Sequence, residues 1–222
     1  MLVFGHDGFP VILFPTAKGR YFEGKDSGLT DSASNLLDSG KIKIYCPDGI
    51  DADSWYNYSI HPSDRVNTHL GYENIILYDV IEFAKHETGK SKVGLAGCNF
   101  GAYHAANIAF KHPELINYLI CLGGAFDIKP FITGYYDEDC YFNNPPDYLP
   151  NLTDNWYLHK FGEMGIFLGV GEWDNYLDQN RNLSGILNSK NVNHWLDVQA
   201  NYGHDWNLWR QLFPKYLGKL HE

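Results

Sequence analysis

Gly97-Cys98-Asn99-Phe100-Gly101 is the stretch that decides the fold. The run before it, Lys92-Val93-Gly94-Leu95-Ala96, is short and apolar, as a buried strand is. The run after it, Phe100 to Lys111, predicts a helix. Ala102, Ala105, Ala106, Ala109 and Phe110 fall on one face, and His112-Pro113 stops it. Glycines on either side of three residues let a backbone turn sharply from strand to helix, so the central side chain stands clear of the sheet. That is the shape of a nucleophile elbow, whose apex is normally a serine. The apex here is Asn99. Its amide has no proton that an imidazole could remove to make an attacking oxygen.

Outward from the elbow the same alternation continues. Val11–Phe14, Ile42–Cys46, Tyr118–Leu122, Ile166–Val170 and His194–Val198 read as strands. Thr68–Glu87, Asn175–Asn188 and Trp206–Leu217 read as helices. Strands separated by helices pair in parallel through right-handed crossovers, which predicts an α/β domain of three layers, with helices on both faces of the sheet. We expect residues 1–222 to form one such domain. Residues 127–160 break the rhythm: they are rich in Pro, Asp, Asn and Tyr, and no strand or long helix is expected there. The tyrosines suggest an ordered cover over a site.

Composition narrows the function classes. Lys and Arg number 17 against 27 Asp and Glu, a formal charge of −10. Nucleic acid is not an expected partner, because phosphate neutralisation needs clustered cations. No apolar run approaches the ~18 residues of a membrane span, so no membrane partner is expected. The opening MLVFGHDGFP has no basic segment leading into an apolar one, so a cytoplasmic location is expected. Cys46, Cys98, Cys121 and Cys140 match no zinc or CxxC spacing. Neither a metal nor a cofactor is expected, and association into a homo-oligomer is left open.

Ligands in parallel sheets bind at the carboxyl ends of the strands. Two further loops there carry chemistry. After the penultimate strand comes Gly171-Glu172-Trp173-Asp174, and after the last comes Asn201-Tyr202-Gly203-His204-Asp205-Trp206. His204 stands where a general base would, and Asp174 where a carboxylate would fix its tautomer. On position alone, His204 could equally open a surface helix and Asp174 could merely cap one. Elbow, acid, base is the chain order of the α/β-hydrolases.

The sequence resembles the α/β-hydrolase esterases of the esterase D and feruloyl-esterase type. The stretch Gly203-His204-Asp205-Trp206-Asn207-Leu208-Trp209-Arg210 is similar to their terminal histidine motif. The elbow helix, Phe14-Pro15-Thr16 and Ser54-Trp55-Tyr56 resemble theirs as well. The resemblance implies an α/β-hydrolase fold, hydrolysis of a small-molecule carboxylic ester through an acyl-enzyme, His204 as base and Asp174 as acid, with Glu172 and Asp178 as fallback acids. It also implies a serine where Asn99 stands, and another strand's worth of residues before Leu2, so an outer strand is expected to be missing or replaced. The oxyanion hole should draw one N–H from Phe100 and another from Thr16 or Ala17.

Three explanations of Asn99 stay open. It is a substitution that disarms an esterase; the protein is a natural pseudoenzyme; or attack has moved to Cys98, a buried thiol poorly suited to it. The first two leave a chain that is nearly inert as written. A non-catalytic ligand- or partner-binding module is the alternative, its pocket lined by Trp55, Tyr56, Tyr135, Tyr136, Trp173 and Trp206. Individually these rings are more often packing. His61, His69, Asp51, Asp53, Asp137, Glu138 and Asp139 read as solvated or helix-capping groups.

Overall fold

The computed structural model describes residues 1–221. Seven strands form one sheet: β1 (Leu2–Phe4), β2 (Phe9–Phe14), β3 (Ile42–Cys46), β4 (Val93–Cys98), β5 (Ile116–Leu122), β6 (Gly165–Gly171) and β7 (Trp195–Gln199). Their order is β1-β3-β2-β4-β5-β6-β7. All neighbours run parallel except β1, which lies antiparallel to β3 at one edge. β4, at the centre, is buried at every position. A parallel strand covered on both faces must be apolar throughout, which is why these strands were legible as short apolar runs.

Side-chain alternation divides the core in two. Ile12, Leu95, Leu119 and Leu168 face one layer of helices, while Val11, Ala96 and Ile120 face the other. Three short helices, α1 (Glu23–Asp26), α2 (Leu29–Ser32) and α3 (Ser34–Asp38), join β2 to β3 where the sequence reading placed none. The helix expected over Thr68–Glu87 begins earlier. It runs as α4 (Pro62–Ile75), a π-helical segment (Ile76–Ile81) and α5 (Glu82–Thr88). His61 caps α4, its ring accepting from the Ser63 amide. The elbow helix α6 spans Phe100–Lys111 and the last long helix, α11, spans Trp206–Leu217. Between them lie α7 (Glu138–Phe142), α8 (Pro145–Tyr148), α9 (Asn155–Gly162) and α10 (Leu177–Ser189).

Residues 127–160 hold only α7, α8, most of α9 and single 3₁₀ turns, so this stretch is irregular, as expected. It packs over α6: Ile128, Ile132 and Cys140 join Phe100 and Tyr103 in a third apolar cluster. No helix is long and apolar enough to cross a membrane among the described residues.

Candidate active site

The register of the sheet brings three loops together. Cys98 pairs with Leu122 and Gly171 with Gln199, so β4, β5, β6 and β7 end side by side. The chain leaves β4 at Asn99 with φ 54° and ψ −120°, a left-handed backbone that non-glycine residues rarely adopt. Three backbone bonds hold it there. The Asn99 N–H donates to Leu122 O at 2.9 Å, and Asn99 O accepts from the Ala102 and Ala125 amides at 3.2 Å each.

The apex side chain reaches two partners. Its Oδ1 accepts from the Ala17 N–H at 3.3 Å, and its Nδ2 lies 2.8 Å from His204 Nε2. An oxygen facing an amide N–H fixes which end of the side chain is which, so Nδ2 donates to the imidazole. His204 Nε2 is then the bare nitrogen. Nδ1 carries the proton and donates to Asp174 Oδ2 at 2.9 Å. The Asp174 side chain is fully buried and that of His204 is 21% exposed. Asp174 uses both oxygens: Oδ1 accepts from the Tyr176 amide at 2.8 Å while Oδ2 meets the imidazole. Trp209 and Tyr176 set their rings edge-on to His204, at centroid distances of 4.8 and 5.2 Å.

Gly123, in the loop after β5, is a site residue the sequence reading passed over. Its φ is +56°, and a Cβ there would stand 2.7 Å from Asp174 Oδ2 and 3.0 Å from His204 Nδ1. Only glycine leaves room for the imidazole–carboxylate contact, and the Gly123-Gly124 pair at a strand end was the available signal.

The loop after β2 presents three consecutive amides, and the structure sorts them. Thr16 N–H donates to Glu23 Oε2 at 2.7 Å, and Thr16 Oγ1 donates to Glu23 Oε1 at 2.8 Å. Lys18 N–H donates to Asp51 Oδ2 at 3.2 Å. The Ala17 N–H alone of the three faces the apex. Thr16, one of the two expected oxyanion donors, is therefore already committed to a carboxylate. Phe100 N–H is the first amide of α6, which has no acceptor within the helix.

Asp51 is not the solvated loop charge that its surroundings in sequence suggested. It is buried, and its Oδ1 accepts from His104 Nε2 at 2.7 Å. His104 lies on the buried face of α6 and stacks on Phe14. His69 is likewise buried, beside Glu73 and Asn143. Sequence patterning by hydrophobicity misses such groups because a buried polar contact leaves no periodic trace.

The expected aromatic pocket is only partly assembled. Trp206 lines the cleft, which holds about 240 Å³ between Thr16, Glu23, Asn99, His204, Asp205 and Trp209. Tyr56 is half-buried, packed edge-on to Phe100 and against Phe131. Burial, with Tyr176 and Asp51 nearby, pushes its hydroxyl well above the usual tyrosine range. Trp55 is 0% exposed and packs on Tyr103 and His69, so it belongs to the core and no ligand reaches it without rearrangement. Tyr135 and Tyr136 bond to Asp137 and Asp147 within the cover segment. Trp173 is 65% exposed beside the acid loop. Neither fallback acid meets the imidazole: Glu172 accepts from the Asn201 amide, and Asp178 is solvated beside Arg181. Cys98 is buried, and burial pushes its thiol well above the usual range. Among the described residues no three His, Cys, Asp or Glu side chains gather in a way that could hold a metal.

No family model and no curated protein matches the chain. Solved structures do. A ferulic acid esterase superposes with a TM-score of 0.76 over 97% of this chain and 86% of its own, at 15% identity. An S-formylglutathione hydrolase from Agrobacterium tumefaciens gives 0.71 over 96% and 84%, at 13%. A CE1 ferulic acid esterase from Anaeromyces mucronatus gives 0.70 over 96% and 78%, at 15%. The chain has the α/β-hydrolase fold, as expected from the sequence.

Proposed function

We propose that the chain carries a carboxylic-ester hydrolase site in which the attacking serine is replaced by Asn99, leaving ester binding with turnover nearly abolished. One observation carries the reading: the line from Asn99 through His204 to Asp174, at 2.8 and 2.9 Å, with the Ala17 N–H on the opposite side of the apex. Ester hydrolysis through an acyl-enzyme needs those parts in that order.

With a serine at 99, His204 Nε2 takes the hydroxyl proton as the oxygen bonds to the acyl carbon. Asp174 steadies the imidazolium. The Ala17 and Phe100 amides hold the oxyanion. The C–O bond to the alcohol then breaks, the imidazolium protonates the departing oxygen, and water repeats the sequence to free the acid. Asn99 stops this at the first step. It offers no nucleophilic oxygen with a removable proton, and it occupies both the lone pair of the base and the oxyanion donor.

Asn99→Ser is expected to raise turnover of short p-nitrophenyl esters by at least ~10³-fold, since losing a triad nucleophile costs that much or more. Adding His204→Ala should remove the gain. A folded Asn99→Ser chain no faster than its parent would sink the assignment. The bridge that the Asn99 side chain makes favours a second reading, a ligand-binding module. On that reading the Asn99 chain is stabilised thermally by ester analogues, and Asn99→Ser brings no turnover.

A further inference from the structure

We infer that this cleft selects ligands carrying a positive charge, of the substituted-ammonium class. The inference rests on the ester-site reading and names the substrate class for it.

The charges around the cleft are one-sided. Among its lining residues Glu23 and Asp205 are acidic, and none is Lys or Arg. Among the described residues Glu23 has no cationic partner: its side chain accepts from Thr16, through an amide and a hydroxyl. These are neutral donors, and they leave the carboxylate's charge uncompensated. Asp205 Oδ1 caps α11, accepting from the Asn207 and Leu208 amides. The basic side chains nearest in sequence are engaged elsewhere. Lys25 pairs with Asp26 at 2.6 Å, Arg20 forks onto Asp48 at 2.7 and 2.8 Å, Lys18 lies 5.4 Å over the Tyr56 ring, and Arg210 donates to Ser27 O and Asn207 Oδ1. His204 meets Asp174 through Nδ1 and turns Nε2 toward the apex.

The remaining wall is indole. Trp206 and Trp209 meet edge to face at 4.8 Å. Trp209 is 3% exposed, and its Nε1–H is buried without a hydrogen-bond partner. Trp209 is closed to a ligand, so the ring available to a soft cation beside the uncompensated carboxylate is the partly exposed Trp206. An anionic group would meet Glu23 with no cation to offset it. The cleft is small, which suits a compact alkylammonium head and a short acyl chain.

The test compares acetylcholine with 3,3-dimethylbutyl acetate, its uncharged carbon isostere, on the chain as it stands. Calorimetry should give the cation tighter binding by about tenfold at low ionic strength, an advantage that shrinks as salt is added. Glu23→Gln should bring the two ligands to within about twofold of each other. Glu23 also holds the loop that presents Ala17, but a displaced loop acts on both ligands alike, so the ratio isolates the charge. The salt dependence on the parent chain needs no variant to fold. A ratio near one, a preference for the neutral ester, or binding of neither would overturn the inference. Turnover by Asn99→Ser without charge preference would leave the ester reading standing and remove this one. A tenfold preference without turnover would do the reverse.

Discussion

Gly101→Ala is the sharpest probe of how the elbow is built. In an exposed helix this exchange stabilises by ~0.5–1 kcal/mol, because alanine loses less backbone entropy. At 101 the sign should reverse. A Cβ there would stand 2.4 Å from Pro15 O, 2.7 Å from Phe14 O and 3.1 Å from Phe14 C. An unstrained carbon–oxygen contact is about 3.3 Å, so the overlap approaches an ångström. The atoms in the way are backbone at the end of β2, which is paired on both sides, so no flexible side chain can swing aside. α6 cannot rise easily either, since Phe100 to Phe110 are all buried. Overpacking of this kind costs ~1–3 kcal/mol and sometimes more, which outweighs the propensity gain. We expect a net loss of up to about 2.5 kcal/mol, or up to roughly 10 °C in Tm for a chain of this size. Gly71 in α4 and Gly185 in α10 are internal controls, because a Cβ at either meets nothing within 4 Å. Gly71→Ala and Gly185→Ala should each gain ~0.5–1 kcal/mol. Urea unfolding followed by circular dichroism measures all three. If Gly101→Ala matched the controls in sign, the close approach of α6 to β2 would be wrong, and with it the placement of Ala17 against the apex.

Two further outcomes follow from buried titratable groups. Burial, with His104 beside it, holds the His69 imidazole down to about 3, while Glu73 is held at about 2 against the cost of its own burial by His112 and Lys111. Both groups bind protons more readily when unfolded. Stability should therefore be fully present above pH ~6.5, decline toward pH 4.5 as unfolded His69 charges, and fall faster below that as Glu73 joins, at up to ~1.4 kcal/mol per pH unit for each proton. Urea midpoints at several pH values check this; His69→Gln should flatten the upper part, and an unchanged midpoint between pH 7 and 5 would contradict it. The second outcome concerns thiols. All four cysteines are buried, and burial pushes Cys46 up to about 12, Cys140 up to about 11 and Cys98 well above its ordinary value. Ellman's reagent should find no fast-reacting thiol in the native chain and four after unfolding; rapid native labelling at Cys98 would revive it as a nucleophile.

The parts of this structure that were legible in sequence are those where burial is uniform. The inner strands appear as apolar runs, and α6 and α11 begin and end where the sequence placed them, because a small-residue face and clear stop signals mark them. His204 and Asp174 were legible because strand ends concentrate chemistry. What escaped was polar and non-local. Glu23 reaches Thr16 from a four-residue helix with no periodicity, and Asp51 reaches His104 across 53 positions. Trp55 illustrates the converse failure: an aromatic expected in the pocket is a core residue packed on Tyr103 and His69.

The way the apex is held explains how an amide can stand there without the site collapsing. A non-glycine residue at φ 54° and ψ −120° costs ~1–3 kcal/mol, so surrounding contacts must impose it. They are backbone bonds from Asn99 to Leu122, Ala102 and Ala125, none of which involves the side chain at 99. The loop that presents Ala17 is fixed from outside as well. Glu23 takes the amide before Ala17 and Asp51 takes the amide after it, so the middle N–H points inward whatever the apex carries. His204 is oriented by Asp174, again independently of residue 99. The geometry around the apex is thus a property of the backbone and of three carboxylates, and the side chain at 99 is a tenant of it. For that reason Asn99→Ser should need no second substitution to act, and a requirement for one would mean that the amide itself holds the loop in place.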